Sequence, residues 1–478
     1  MEPRFTHPRL SGNFAPVLAE CDAPDLIVTK GEIPAELDGT LYRNGPNPMF
    51  PPLGDDHDWF LGEGMLHAFT LSGGKASYRN RFIGTQQYTA QRAAGRRLVP
   101  TVFGAPPAPG GEDILRNTAN THIILHGGQF LALEEVALPV AIDPVTLAAQ
   151  GSYDYGGAYA GPFSGHPKLD PKTGELITFG YMADGPGSAT LSFTIIAADG
   201  TVTRHDRFQA PYPAMMHDFA VTDEHAVFPV FPATIDGRRM MQGGPLIAWD
   251  PSLKTLIGVL GRDEPVENIR WFEGDACYAY HTLNAFSTSD ERGTRVVVDA
   301  FKFDRLGLFP NADGSPVIGP VDTWRGKLVR WTFDLASNDN GYTEQVLTDI
   351  PGELGRVDER FSGLPYRHAY FGTVAGDVAP ETPANAIAHV DLATGEAKVW
   401  TPAGGFVHEP VFVPRSATAP EGDGWILSVV YDAPANLSSL VILDALDVAS
   451  GPVAQVELPL RIPFGFHGSW VPSREVGA

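Results

Sequence analysis

Four histidines stand in short, distinctive settings. They are His166 in Ser-Gly-His-Pro-Lys, His217 in Met-Met-His-Asp-Phe, His281 in Ala-Tyr-His-Thr-Leu-Asn-Ala-Phe and His467 in Gly-Phe-His-Gly-Ser-Trp. Neutral imidazoles are common transition-metal ligands, and a cage of them can leave coordination positions open for a reactant. The four are separated by 51, 64 and 186 residues, so no single helix or hairpin unites them. A fold that joins them must bring distant strand ends to an axis. Metal-bound histidine normally donates its other ring N–H to a carboxylate or carbonyl, which fixes the ring. Three acidic residues in apolar or turn settings suit that role. They are Glu135 in Leu-Glu-Glu-Val-Ala-Leu, Glu353 in Pro-Gly-Glu-Leu-Gly and Glu409 in Val-His-Glu-Pro-Val-Phe. Of the remaining histidines, His67 reads as core, His122 and His126 flank one strand, and His408 is a candidate for an outer layer.

The elements that must position these residues are strands. Helical periodicity is scarce, while short β-rich runs recur, among them 121–125, 129–133, 191–197, 295–303, 327–333, 386–390, 425–431 and 440–443. A degenerate unit appears five times: an apolar strand ends in Asp143, Asp170, Asp250, Asp334 or Asp391, and a tight turn follows. Aspartate there accepts backbone N–H groups two residues on, and Pro presets the turn. The copies lie 27 to 84 residues apart, which predicts radially repeated hairpins with insertions. The fold class is therefore all-β. A β-propeller over residues 1–478 closes its sheets into a ring and explains the histidines; two β-sandwich domains would explain only the strands. Residues 85–115 break the pattern and read as a loop-and-helix cap over the entrance or as a plain surface loop.

Composition narrows the function. A chain of 478 residues exceeds the roughly 250–300 at which one core stops growing, but repeats add core slice by slice. The 52 glycines and 42 prolines are spread along the chain, as turns between strands require. A formal charge of −23 repels polyanions, so no nucleic-acid partner is expected. The basic stretch 92–97 reads as a solvated loop. Cys21 and Cys277 are too few and too far apart for a disulfide framework or a thiolate metal site. The N-terminus lacks a secretory apolar segment, and no apolar run approaches the roughly 18 residues that span a bilayer. The expectation is a soluble, cytoplasmic protein with at most weak apolar contact to a membrane surface. No Rossmann glycine fingerprint and no iron–sulfur spacing is visible, so no organic cofactor is expected.

The chain resembles the carotenoid cleavage oxygenase family from near residue 8 to residue 470. The segments that carry the likeness include Leu41-Tyr-Arg-Asn-Gly-Pro-Asn-Pro, Gly62-Glu-Gly-Met-Leu-His-Ala-Phe, Gly165-His-Pro-Lys, Met216-His-Asp-Phe, Tyr280-His-Thr-Leu-Asn-Ala-Phe, Glu409-Pro-Val-Phe-Val-Pro-Arg and Phe466-His-Gly-Ser-Trp. The resemblance implies a seven-bladed β-propeller with Fe(2+) on four histidines, which map to His166, His217, His281 and His467. It implies outer glutamates at Glu135, Glu353 and Glu409, and a threonine near the vacant iron position at Thr121. It also implies O2 as co-substrate and oxidative cleavage of a conjugated C=C bond of an apolar small molecule to two carbonyl products.

Departures from the family bear on which alkene is cleaved. The stilbene- and isoeugenol-cleaving members grip a phenol with a Tyr and a Lys, and those positions match Thr101 and Glu134 here. Glu134 would repel a phenolate. The expected substrate is therefore a carotenoid or apocarotenoid in an apolar tunnel, with Phe163, Phe219, Phe286 and Phe464 as candidate walls. The alternative is a stilbene or phenylpropanoid such as resveratrol or isoeugenol. Retinoid isomerisation and a non-catalytic binding propeller are the further alternatives.

Overall fold

A computed structural model describes residues 5–316, 324–379 and 381–476. The described residues form seven antiparallel sheets of four or more strands and one two-stranded ribbon. This is the strand complement of the expected seven-bladed β-propeller. Among the described residues there are two α-helices, Gln86–Ala94 and Gly237–Met241, and no helix long and apolar enough to cross a membrane.

Two compact units divide the chain. One contains residues up to Gly165 together with 402–419 and 424 onward. Its three sheets tie the beginning of the chain to its end. Gly39–Pro46 pairs with Gly468–Pro472, with Arg43 opposite Gly468, and Val28–Gly31 pairs with Pro452–Glu457. The strand that begins immediately after His467 is thus held by pairing to a strand near the start of the sequence. The third sheet holds His122–His126 and Gln129–Leu133, so Glu134 and Glu135 leave from its second strand. The other unit, residues 166–401 with 420–423, holds four sheets. Lys168–Leu169 follows His166, Ala220–Val221 follows His217, and Tyr278–Asp290 carries His281.

Burial follows the order of strands within a sheet. Leu176–Tyr181 and Thr190–Ile196 are buried along their whole length, whereas the edge strand Thr343–Val346 is exposed throughout. Inner strands packed on both faces read as continuous apolar runs for this reason. The five predicted aspartate turns all form. Asp143, Asp170, Asp250, Asp334 and Asp391 each accept the N–H of the residue two positions on, at 2.8 to 3.1 Å.

Residues 85–115 differ from the solvated-loop expectation for their basic stretch. Thr85 caps the helix Gln86–Ala94 through the Tyr88 N–H, and Gly95 ends it in the left-handed region. Arg97 is buried, and its guanidinium makes a two-pronged pair with the buried Glu63 at 2.9 and 3.1 Å. Gln91 and Gln87 donate to the same carboxylate. Gln91 in turn accepts from the N–H groups of Leu98 and Val99. The segment is anchored through buried charge that lies 34 residues away in sequence.

Candidate metal centre

Three of the four histidines meet in one unit. His166 Nε2 lies 3.0 Å from His217 Nε2, which lies 3.1 Å from His281 Nε2. The three rings stand edge to face, with centroids 4.4 to 5.0 Å apart. Metal–imidazole bonds of about 2.1 Å place two ligand nitrogens about 3.0 Å apart at a right angle and about 3.4 Å apart at a tetrahedral angle. The observed spacings match right-angled positions. Imidazole nitrogens without a thiolate suit iron, copper, nickel or zinc. The donor set therefore fits a divalent transition metal with room for further ligands.

Outer contacts fix which nitrogen of His281 points inward. Its Nδ1 bonds Glu353 Oε2 at 2.5 Å, which keeps the proton on Nδ1 and leaves Nε2 as the donor atom. The same carboxylate oxygen accepts the N–H of Leu354 at 2.6 Å. Leu354 takes φ +55°, a left-handed conformation that is strained for a leucine. The backbone bends there to present its N–H to the glutamate. In the other unit the same device serves His467. Its Nδ1 bonds Glu409 Oε1 at 2.8 Å, and Glu409 Oε2 accepts the Gly468 N–H at 2.8 Å. Glu409 and His467 are both buried.

Sequence reasoning missed a brace behind the three clustered rings. Asp218, next to His217, accepts Lys168 Nζ at 2.7 Å. Its second oxygen accepts both the N–H and the hydroxyl of Thr282 at 2.8 Å. Lys168 is two residues from His166 and Thr282 is one from His281. One buried carboxylate therefore ties together the three segments that carry these ligands. Burial alone would raise the Asp218 pKa, but Lys168, His281 and the hydrogen bonds hold it below the usual value. The signal was present in sequence as a carboxylate adjoining a ligand.

Thr121 and Glu135 flank the turn before His166. A side chain at Gly165 would come within 2.6 Å of Thr121 Cγ2 and 3.7 Å of Glu135 Cγ, so the close approach of Thr121 explains glycine at this position. The Thr121 N–H donates to the Leu133 carbonyl at 2.9 Å, and its own carbonyl accepts the His467 N–H at 3.1 Å. Two groups beside His467 were also missed. The His122 ring stands 5.5 Å from it. Phe466 stacks on Phe60 at 5.6 Å and meets the edge of Trp59 at 4.7 Å. These three aromatic residues are only partly buried. The four aromatic residues picked from sequence pack against other side chains as follows. Phe219 is fully buried among Phe179 and Phe228, Phe163 packs on Tyr155 and Tyr159, Phe286 lies under Arg330, and Phe464 packs on Phe14 and His408.

Glu134 and Thr101 are both buried. Glu134 Oε1 faces Arg116 Nη2 at 3.6 Å. Burial pushes the Glu134 carboxyl up to about 7, against the pull of Arg116. His408 forms an outer layer with Arg43: the two are in direct contact. Burial holds the His408 pKa well below its ordinary value, so the buried guanidinium meets a neutral ring. Glu409 lies close enough to raise the Arg43 pKa against that same burial.

A family model described as retinal pigment epithelial membrane protein, RPE65, matches residues 14–472. Resveratrol cleavage oxygenase 1 of Aspergillus fumigatus is 36% identical over 489 residues, covering 98% of this chain and 97% of that protein. A lignostilbene dioxygenase of known structure from Pseudomonas brassicacearum is 37% identical, with a TM-score of 0.91, covering 98% of this chain and 100% of its own. The cobalt-substituted apocarotenoid oxygenase of Synechocystis is 31% identical, with a TM-score of 0.84, covering 96% of this chain and 98% of its own. Fold and relatives together define a class, the alkene-cleaving oxygenases built on a β-propeller. The chain belongs to the RPE65, or carotenoid cleavage oxygenase, family.

Proposed function

We propose that the chain is an Fe(2+)-dependent oxygenase that splits a C=C bond of a stilbene or phenylpropanoid with O2, giving two carbonyl products. The observation that carries this reading is the trio of inward Nε2 atoms at 3.0 and 3.1 Å, with a carboxylate holding the outer nitrogen of His281. His166, His217, His281 and His467 would hold the iron. When bound, ferrous iron would supply O2 activation, with electrons from the electron-rich alkene. Glu353 and Glu409 keep the Nδ1 protons of His281 and His467 in place and turn each Nε2 inward. We assign Glu135 the same orienting role. Asp218 keeps the three ligand-bearing backbones in register. Thr121 ties the Gly165 turn to the His467 backbone and shapes the approach beside it. Residues 85–115 form the cap of the entrance.

The sequence favoured a carotenoid or apocarotenoid, and this reading replaces it. Relatives named for resveratrol and lignostilbene cleavage match at 36 and 37% identity, against 31% for an apocarotenoid oxygenase. The partly exposed Trp59, Phe60 and Phe466 beside His467 also suit a flat aryl ring, since aromatic faces pair by offset stacking.

The deciding experiment loads the protein anaerobically with Fe(2+) and then offers resveratrol, isoeugenol and apocarotenals in labelled O2. One iron per chain and labelled aromatic aldehydes are expected, and His467→Ala should lose the iron. Absence of iron uptake, or cleavage confined to apocarotenals, would overturn the proposal.

A further inference from the structure

Arg43 places a positive charge inside the fold. It is 4% exposed and lies in the strand Gly39–Pro46, which pairs with the strand after His467. Its guanidinium meets neutral acceptors. One terminal nitrogen contacts Nδ1 of the His408 ring, which burial keeps neutral. The other donates to the Phe466 carbonyl at 3.4 Å. Its Nε has no hydrogen-bond partner among the described residues. The carboxylate that offsets part of this burial is Glu409. A buried cation without a directly bonded anion is costly. An apolar side chain of similar length would fill the space without that cost, so the hydrogen bonds of Arg43 serve something other than packing.

The two groups that Arg43 joins are the neighbours of a metal-ligating histidine and of its orienting carboxylate. Phe466 precedes His467, and His408 precedes Glu409. His467 Nδ1 bonds Glu409 Oε1 at 2.8 Å. The next residue of the Arg43 strand holds the backbone around His467. The Phe466 N–H donates to the Asn44 carbonyl at 2.9 Å, and the Asn44 N–H donates to the His467 carbonyl at 3.0 Å. The other segment is bonded to a different sheet. There the His408 N–H donates to the Val429 carbonyl at 3.0 Å, and the His408 carbonyl accepts the Ser428 hydroxyl at 2.9 Å. The Arg43 guanidinium bridges the two segments. Gly465 leaves room for it: a Cβ there would stand 3.2 Å from Arg43 Nη2 and 2.8 Å from the Asn44 carbonyl oxygen.

We propose that Arg43 is a positioning residue of the metal centre. It holds the Phe466–His467 turn on the His408–Glu409 segment, and so keeps the His467 ring on Glu409 with Nε2 turned toward the metal. Its two terminal nitrogens reach two segments, a fork that the single ammonium of lysine does not reproduce. This inference rests on the reading of His467 as a metal ligand. The sign of one effect separates it from a purely electrostatic role. As a fixed charge alone, Arg43 repels a cation, and its removal would tighten iron. As a brace, its removal loosens iron.

Arg43→Met and Arg43→Lys are compared with wild type in two measurements. The first is the ring N–H spectrum of metal-free protein carrying isotope-labelled histidine. His281 and His467 each bond a carboxylate through Nδ1 and should give slowly exchanging low-field protons, the second assigned with His467→Ala. Arg43→Met should lose the His467 signal and keep that of His281, a split that general destabilisation would not produce. The second measurement is ferrous affinity by chelator competition. It should fall about tenfold or more in Arg43→Met, and by less in Arg43→Lys. An unchanged His467 signal in Arg43→Met would overturn the proposal, as would iron bound as tightly as in wild type or more so. If Arg43→Met fails to fold, Arg43→Lys decides: a weakened His467 signal with looser iron supports the brace, and wild-type values in both overturn it. A His467 signal that depends on Arg43 in protein that takes up no iron would sink the metal reading and leave the brace standing. Normal iron uptake with a signal indifferent to Arg43 would do the reverse.

Discussion

Replacing Glu134 with glutamine should make the protein more stable, and the gain should depend on pH with a definite shape. Burial raises the folded-state pKa of this carboxyl from 4.5 to about 7. A carboxyl with a raised folded pKa binds its proton more readily folded than unfolded, so folding loses stability as pH climbs from 4.5 to about 7. Above that range the penalty is complete. The difference, about 7 minus 4.5, at about 1.36 kcal/mol per pH unit gives about 3 kcal/mol. A chain of 478 residues unfolds with an entropy of about 1 kcal/mol/K, from about 2.1 cal/mol/K per residue. The glutamine variant should therefore melt about 3 °C above wild type at pH 8. The gap should shrink by about 1.4 °C per pH unit below about pH 7 and nearly vanish near pH 4.5. Calorimetric scans of chelator-treated protein across that range, at one scan rate, would test it. A gap that is flat with pH, or a wild type that melts higher at pH 8, would refute the reasoning. The second result would mean that Arg116, at 3.6 Å and partly exposed, outweighs the desolvation of its partner.

Asp218→Asn should lower iron affinity about 10- to 100-fold, as loss of a group that orients metal ligands usually does; competition with a ferrous chelator measures this, and unchanged affinity would remove the brace. Arg97→Met leaves Glu63 as a buried charge without its cation, a loss of about 3–5 kcal/mol. Hydrogen exchange should show residues 86–99 opening first, and Glu63→Met combined with Arg97→Met should restore part of the stability.

The parts of the molecule that could be read from sequence are those whose chemistry is local. Each aspartate turn is a contact between residues two apart, and all five form as expected. Glu353 and Glu409 were candidates from their turn and apolar settings, and the family resemblance singled them out. Glu353 is followed at Leu354 by the backbone N–H that its carboxylate accepts, and Glu409 precedes an apolar strand. What failed were judgements about charges whose partners are remote. Arg97 looked like one more basic residue in a polar loop, since nothing nearby identifies Glu63 as its partner across 34 positions. Asp218 looked like part of a histidine motif because its partners come from two other strands.

Glu134 shows the same limit with a consequence for function. As a bare charge beside Glu135 it argued against any phenolic substrate, and so for a polyene. Its meaning changes once burial and Arg116 are included. The carboxylate is buried, its Oε2 has no hydrogen-bond partner among the described residues, and Arg116 Nη2 stands 3.6 Å from its Oε1. Burial pushes this carboxyl up to about 7, which weakens the charge argument against a phenol near neutral pH.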